Sequence, residues 1–128
     1  MKALLDTSFL LLCLEKGRDY LKLIEQKLGE HVEPVILENV VDELRTLASK
    51  RGKKGMLARA ALQKMINANI VQFHGMYNVD EALQKYAAEH KMPVITVDTK
   101  LAKKLASSGL PYISVGKAGK PIVRLILR

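Results

Sequence analysis

Short apolar runs alternate with helix-patterned segments along the whole chain, and few folds are compatible with that order. Apolar runs typical of strands cover residues 3–5, 35–37, 70–73, 94–97 and 112–115. Apolar residues at three- and four-residue spacing predict helices over residues 20–28, 39–49, 56–67, 79–90 and 99–107. Right-handed crossovers between successive parallel strands place helices on both faces of a sheet. We therefore expect an α/β fold, a three-layer α/β/α sandwich with a central, mainly parallel sheet of about five strands.

The length and organisation of the sequence predict one domain. Its 128 residues have room for one hydrophobic core, and the sequence contains no internal repeat, low-complexity segment or Pro-rich linker. Residues 1–128 are therefore expected to form a single unit. Within it, residues 121–127 are predicted as an added edge strand, and residues 52–55 as a loop between two helices.

Positive charge is concentrated in two stretches that contain no Asp or Glu. The chain has 21 Lys and Arg against 13 Asp and Glu, a net charge of +8. The basic residues of the two stretches are Arg45, Lys50, Arg51, Lys53, Lys54, Arg59 and Lys64, then Lys100, Lys103, Lys104, Lys117, Lys120, Arg124 and Arg128. A polyanion such as nucleic acid is thus the first partner to test, although such runs are also typical of solvated helix faces.

The first 14 residues have a superficial likeness to a signal peptide. Asp6 interrupts the apolar run, and Leu12 stands where cleavage needs a small residue. No apolar stretch approaches the ~20 residues of a membrane helix. The single cysteine, Cys13, cannot form an internal disulfide and is expected to be a buried structural thiol. We therefore expect a cytoplasmic protein without a membrane anchor.

Two aspartates each close an apolar run. Asp6 follows the first predicted strand, and Asp98 follows the fourth. Ligands of open parallel sheets bind at the carboxyl ends of the strands, near the point where the strand order reverses. Taken alone, each aspartate is better explained as a helix N-cap, because its side chain accepts hydrogen bonds from free amides of the first turn.

Two further acids lie at the edges of apolar helix faces. Glu43 falls beside the apolar stripe of its helix, where it either reaches into a cleft or forms a rim ion pair, whereas its neighbour Asp42 points to solvent. Asp80 also leans toward the buried face of its helix. Asn78 as N-cap with Glu81 at the third helical position accounts for Glu81 better than for Asp80.

Together these four acids are expected to meet at one end of the sheet without an obvious internal cation. Uncompensated buried charge is costly, and hard divalent cations relieve it by taking oxygen ligands. Carboxylates with water match magnesium or manganese rather than zinc. The histidines, His31, His74 and His90, show no ligand spacing, and His90 is expected to be packed on the apolar face of its helix.

The order of these residues resembles the PIN domain family of metal-dependent ribonucleases. The resemblance covers essentially the whole chain, and its most specific part is residues 94–105 followed by Gly109, Leu110 and Pro111. It is greatest to small single-domain prokaryotic members, which include VapC-type toxins and archaeal RNA-processing nucleases. One departure is Val97, where the family often has Asn.

The resemblance implies a metal-dependent endoribonuclease that holds one or two Mg²⁺ or Mn²⁺ ions and hydrolyses RNA phosphodiester bonds. The implied metal ligands and catalytic residues are Asp6, Glu43, Asp80 and Asp98. Asp6 and Asp98 are expected to be direct ligands, Glu43 either a ligand or a group that orients water, and Asp80 the contact to a second ion or to water. The substrate-binding residues are expected to be Thr7, Thr96 and Lys100. Thr96, and to a lesser degree Thr7, is expected to hydrogen-bond either a metal-ligand carboxylate or the substrate phosphate. Either hydroxyl is also explained as a cap of a backbone amide. The resemblance further implies a homodimer and, for a toxin, an antitoxin partner.

Two alternatives compete with this interpretation. A PIN-like protein that only binds RNA within a processing complex has the same sequence pattern with carboxylates too loosely assembled for turnover. A phosphoacceptor receiver domain needs an aspartate after its third strand, and this chain has Phe73, His74 and Gly75 there. The sequence leaves open whether the nuclease would be a toxin or an RNA-processing enzyme.

Overall fold

The computed structural model of the chain describes residues 1–65, 68–73, 75, 77–116 and 124–126. The strands are β1 (Lys2–Leu5), β2 (Glu33–Leu37), β3 (Asn69–Val71), β4 (Val94–Thr96), β5 (Tyr112–Ser114) and β6 (Arg124–Ile126). The helices are α1 (Thr7–Lys16), α2 (Tyr20–Leu28), α3 (Glu38–Ala48), α4 (Lys53–Lys64), α5 (Val79–His90) and α6 (Thr99–Ser107).

The strands form one sheet in the order β3-β2-β1-β4-β5-β6. The pairs among the first five strands are parallel, and β6 runs antiparallel to β5. Flanking helices complete the expected α/β/α sandwich, so the predicted fold class is confirmed. The edge strand predicted over residues 121–127 is confirmed for Arg124–Ile126; the rest of that prediction lies outside the described residues.

The central strands are apolar because both faces of the sheet are covered. Ala3 and Leu4 of β1 and Val94 and Ile95 of β4 are fully buried. The register pairs Leu4 with Val94 in β4 and with Val35 in β2. The middle of the sheet is therefore rigid, and residues that follow β1 and β4 start from fixed positions.

Helix α1 was not predicted, although its first turn contributes residues to the candidate site. It begins after Asp6 and ends at Gly17, whose φ of 61° is in the left-handed region that glycine tolerates. The helix contacts α3, α4 and β4. Because several sides of α1 are covered, residues 9–14 are a continuous apolar run without the periodicity that would indicate a helix.

The prediction of a loop over residues 52–55 was wrong, because α4 already begins at Lys53. Gly55 is buried in the first turn of α4 and permits this start. A Cβ atom there would collide with the carbonyl oxygen of Lys50 and lie 3.2 Å from that of Leu47. Only glycine allows α4 to lie this close to the end of α3.

Arg59 fixes the same junction from the next turn of α4. Its Nη1 donates to the carbonyl oxygens of Ala48 at 2.8 Å and Lys50 at 3.3 Å. The Ala48 carbonyl is at the end of α3 and the Lys50 carbonyl lies two residues beyond it, so the helix supplies no further turn to satisfy them. The α3–α4 junction, residues 48–59, therefore has a defined geometry. None of the helices in the described residues has the length and apolar content to cross a bilayer.

Candidate active site

The strand order reverses between β1 and β4. From β1 the chain moves outward through β2 and β3, then returns to the other side of β1 to form β4. Asp6 directly follows β1, and Asp98 lies two residues after the end of β4. The two aspartates therefore flank the crevice where open α/β sheets bind ligands.

Asp6 is buried, and each oxygen of its side chain accepts a hydrogen bond. Its backbone N–H donates to the carbonyl of Ile95 at 3.0 Å, which extends the pairing of β1 with β4. Oδ1 accepts from the amide of Thr7 at 2.8 Å. Oδ2 accepts from the hydroxyls of Ser8 and Thr96, both at 2.8 Å. The carboxylate orientation is therefore fixed before any ligand binds.

Burial raises the pKa of Asp6 above its ordinary value. The hydrogen bonds from Ser8, Thr96 and Thr7 oppose this rise, and the nearby charge of Asp80 adds to it. The surroundings of Asp6 thus do not fully offset the cost of burying its ionised side chain. A cation placed beside it would favour the ionised carboxylate.

The hydroxyl of Thr96 joins the two aspartates across the sheet. Thr96 is fully buried, and its Oγ1 donates to Asp6 and accepts from the amide of Asp98 at 3.0 Å. The Ser8 hydroxyl accepts from the amide of Val97 at 3.2 Å. At this position, where the resembled family often has Asn, the polar contact is therefore made by the backbone. Thr96 therefore supports a carboxylate, one of the two roles expected for it.

Both aspartates are helix N-caps, as the sequence predicts, and both also lie beside the crevice at the reversal of strand order. Asp98 Oδ1 accepts from the amides of Lys100 at 2.9 Å and Leu101 at 3.5 Å at the start of α6. Asp6 caps α1 through Thr7. Because both bonds to Asp98 use Oδ1, Oδ2 is left to face a ligand.

All four predicted acids line one cavity of about 240 Å³. Its lining residues are Asp6, Thr7, Ser8, Leu11, Glu43, Leu47, Lys54, Asp80 and Asp98. Thr96 lies behind Asp6 and outside this lining. Lys100 is exposed and does not line the cavity. The structure thus brings together the acids and Thr7 but not Lys100.

Glu43 is exposed on α3 and still faces the cavity, which agrees with a carboxylate that reaches into a cleft. Asp42 instead pairs with Arg45 at 3.0 Å, and both of these side chains are mostly exposed. The predicted contrast between these neighbouring acids is confirmed.

Asp80 does have a cationic partner, so the expectation of four acids without an internal cation was wrong there. Its Oδ2 lies 3.6 Å from Nζ of Lys104, and neither side chain is fully buried. The N-cap prediction for α5 is confirmed, because Asn78 Oδ1 accepts from the amide of Glu81 at 2.8 Å. A half-exposed ion pair is a weak constraint, so Asp80 stays available to a ligand.

Sequence reasoning missed Ser8 and Lys54 as site residues. Ser8 follows Asp6 by two positions, which is the local spacing at which a hydroxyl reaches a capping carboxylate. Lys54 carried no such signal, because its position depends on the α3–α4 junction. Leu11 and Leu47 supply the apolar part of the cavity lining.

The residues present fit a hydrated hard cation better than a fully protein-ligated one. Within the described residues, no three His, Cys, Asp or Glu side chains form a ready metal cluster. Magnesium keeps several waters and needs only one or two carboxylates. Thr7 is 4% exposed, and its hydroxyl is buried with no hydrogen-bond partner in the described structure. A water or phosphate oxygen in the cavity would satisfy that hydroxyl.

A larger cavity, of about 570 Å³, is lined mainly by apolar side chains of α1, α4 and β2. Asp19 is the single acid among its described lining residues, so its chemistry does not suit a hard cation. Cys13 lines this cavity; it is half-buried rather than fully buried, and its burial raises the pKa of the thiol. A protonated, half-buried thiol agrees with a structural role.

The prediction of a packed His90 was wrong. His90 is exposed, and its ring stacks on Tyr86 with 3.9 Å between centroids. His74 lies outside the described residues, as do three cations of the second basic stretch, Lys117, Lys120 and Arg128.

Comparison with known proteins places this geometry in a family. Residues 3–117 match the family described as PIN like domain. Ribonuclease VapC4 of Methanocaldococcus jannaschii is 32% identical over 114 residues, which cover 86% of each chain. Among solved structures, the PIN domain endonuclease Utp24 superimposes with a TM-score of 0.77 at 24% identity, covering 98% of this chain and 92% of that one. VapBC2 from Rickettsia felis, bound to a DNA fragment from its promoter, gives a TM-score of 0.62 at 18% identity and covers 81% of this chain and 92% of that one. The two structural likenesses concern the fold, and the family match and the VapC4 relative together show that this chain belongs to the PIN-like domain family.

Proposed function

We propose that this protein is a magnesium- or manganese-dependent endoribonuclease that hydrolyses RNA phosphodiester bonds at the Asp6–Asp98 cavity. One observation carries the proposal: four carboxylates from separate parts of the chain line one cavity beside the reversal of strand order. Membership of the PIN-like domain family and the relative named a ribonuclease support it.

Asp6 and Asp98 are the residues best placed to hold the ion. Their orientation is set by the Thr96 hydroxyl and by the helix starts that they cap, so little reorganisation is needed on binding. Glu43 on α3 and Asp80 on α5 would hold the ion through water or hold a second ion. When bound, Mg²⁺ or Mn²⁺ would neutralise charge on the phosphate and lower the pKa of water.

The other polar groups of the site act on water and substrate. The exposed carboxylate of Glu43 is suited to orient the attacking water and accept its proton. The Thr7 hydroxyl, which lacks a partner in the described structure, would donate to a phosphate oxygen. Lys100 lies beside Asp98 but outside the cavity, and we assign it to the RNA backbone beyond the cleavage site. Backbone contacts of this kind give salt-dependent binding with little sequence information.

Cleavage of a labelled RNA by the purified protein, with and without Mn²⁺, tests the proposal. Asp6→Asn and Asp98→Asn remove the negative charge but keep an oxygen that caps the helix, so both variants should fold. We expect both to bind RNA and to lose Mn²⁺-stimulated cleavage. Asp42→Asn, on the helix of Glu43 but directed to solvent, is the matched control and should cleave like the parent. Equal cleavage by the parent and both site variants would refute the proposal.

A non-catalytic RNA-binding component of a processing complex is the second candidate. It is favoured by the lack of a ready cluster of three ligands in the described part of the chain. RNA binding by a parent protein that gives no cleavage with either metal would support this candidate instead.

The partners and biological role belong to the same proposal. RNA is the proposed substrate, single-stranded or structured, and a homodimer is the proposed assembly, to be tested by light scattering. A structural neighbour is VapBC-1 from nontypeable Haemophilus influenzae, with a TM-score of 0.63. An antitoxin is accordingly the protein partner to look for, and a short reading frame immediately upstream would favour a toxin over an RNA-processing nuclease. A cytoplasmic location is also part of this proposal.

A further inference from the structure

The candidate active site contains one cation that no carboxylate in the described structure neutralises. Lys54 is the single basic residue among the nine described residues that line the cavity. Four of the other eight are acids, yet within the described residues none approaches Lys54 closely enough for an ion pair. The neighbouring lysine behaves differently, because Nζ of Lys53 lies 3.4 Å from Glu15 outside the cavity.

The backbone of α4 fixes where Lys54 starts. Gly55, the next residue, packs against the carbonyls of Lys50 and Leu47 at a distance that a Cβ atom would prevent. Arg59 holds the same carbonyl of Lys50 from one turn further along. Leu47 itself lines the cavity, so this packing brings the first turn of α4 to the cavity wall. The exposed side chain of Lys54 therefore extends from a rigid base at the cavity mouth.

Charge in the cavity explains what Lys54 would bind. The four acids carry −4 when ionised; Lys104, which pairs with Asp80, and one divalent ion together leave −1 before a phosphate enters. An RNA strand that enters this cavity meets repulsion from the remaining charge. A lysine at the cavity mouth attracts a phosphate of the RNA and so offsets the repulsion of that phosphate by the acids.

We propose that Lys54 binds a backbone phosphate of the RNA adjacent to the cleaved bond, and so sets the register of the strand in the cavity. This inference rests on the proposed ribonuclease function and adds a substrate contact to it. Lys54 is a substrate-binding residue in this scheme and takes no part in holding the metal. Its contact is made before and during the reaction, so it contributes to substrate binding at both stages.

Steady-state cleavage by Lys54→Gln tests the assignment. We expect KM to rise about 3- to 10-fold, as for the loss of one ordinary hydrogen bond, with kcat within about twofold of the parent. Lys54→Arg should restore KM, because it keeps the charge. Lys53→Gln removes the same charge one residue away and outside the cavity, and its KM should lie nearer to that of the parent.

Two binding measurements separate a phosphate contact from a structural counter-charge. Fluorescence anisotropy of a labelled single-stranded RNA, in an Asp98→Asn background that should not cleave, should show a salt dependence reduced by about 0.7 in log–log slope for Lys54→Gln. Thermal unfolding at increasing Mn²⁺ concentrations reports the affinity for Mn²⁺. The Mn²⁺ concentration at the midpoint of this stabilisation should be the same for Lys54→Gln and the parent.

The outcomes distinguish this inference from the function on which it rests. If the parent cleaves RNA but Lys54→Gln and Lys53→Gln have the same KM and salt slope, the Lys54 assignment is wrong and the ribonuclease proposal stands. Tighter or weaker Mn²⁺ binding by Lys54→Gln, with unchanged KM, would also overturn the assignment. A parent that neither binds nor cleaves RNA would overturn both.

Discussion

Replacement of Thr96 by valine removes one hydroxyl from the centre of the molecule and changes little else in shape. That hydroxyl donates to the buried carboxylate of Asp6 at 2.8 Å and accepts from the amide of Asp98 at 3.0 Å. A hydrogen bond to a charged group contributes about 1.5–3 kcal/mol, and a neutral one about 1 kcal/mol. Valine avoids the cost of burying a hydroxyl, which offsets part of the loss. We expect the free energy of unfolding to fall by about 2–3 kcal/mol.

Urea denaturation followed by circular dichroism measures this change. Thr46→Val is the matched control, because Thr46 is exposed and the one hydrogen bond of its hydroxyl within the described residues is to the carbonyl of Asp42 on its own helix, at 3.1 Å. The control should stay within about 0.5 kcal/mol of the parent. A Thr96→Val variant as stable as this control would show that the bridge between Asp6 and Asp98 contributes nothing measurable. The same variant should also cleave more slowly, since Asp6 loses one of the bonds that hold its pKa down.

Three further predictions follow from the same contacts. Because burial raises the pKa of Asp6, its contribution to stability is present below the unfolded-state pKa and is lost as pH rises through the folded-state pKa. In urea titrations without metal, the stability of Asp6→Asn relative to the parent should therefore increase from pH 4 to pH 8. A stability difference that stays constant over this range would contradict the prediction. Gly55→Ala should lower the free energy of unfolding by about 1–3 kcal/mol despite the better helix propensity of alanine, because the collision is with backbone, and a stabilised variant in the same assay would contradict the packing. Mn²⁺ at about 100 times its dissociation constant should stabilise the parent by about 2.7 kcal/mol in thermal unfolding and should leave Asp6→Asn nearly unchanged, whereas equal stabilisation of both would place the ion elsewhere.

The sheet and five of the six helices of the described structure were predictable because their patterns are local. Helices α2, α5 and α6 have the predicted limits, and each apolar strand run contains or overlaps an observed strand. Helix α1 escaped prediction because residues 9–14 are apolar on all sides, so burial in three dimensions erased the period that identifies a surface helix.

The acids of the site were predictable for a similar reason. Asp6 and Asp98 follow strands that must be parallel neighbours or near neighbours, and the carboxyl ends of such strands lie at one edge of the sheet. Lys54 was not predictable, because its place depends on a backbone contact of Gly55 with α3 that no pattern of side chains reveals. The sequence also gave no sign that Lys104 would pair with Asp80 across two helices.

The adjacency of β1 and β4 has a consequence for when the protein becomes active during synthesis. The hydrogen bond between Asp6 and Thr96 spans 90 positions of the chain. A nascent polypeptide that ends before β4 has Asp6 but lacks its central neighbour strand, the Thr96 hydroxyl and Asp98. Under the proposed chemistry, a ribosome that carries such an intermediate is not exposed to a working nuclease, because half of the site has not yet been made.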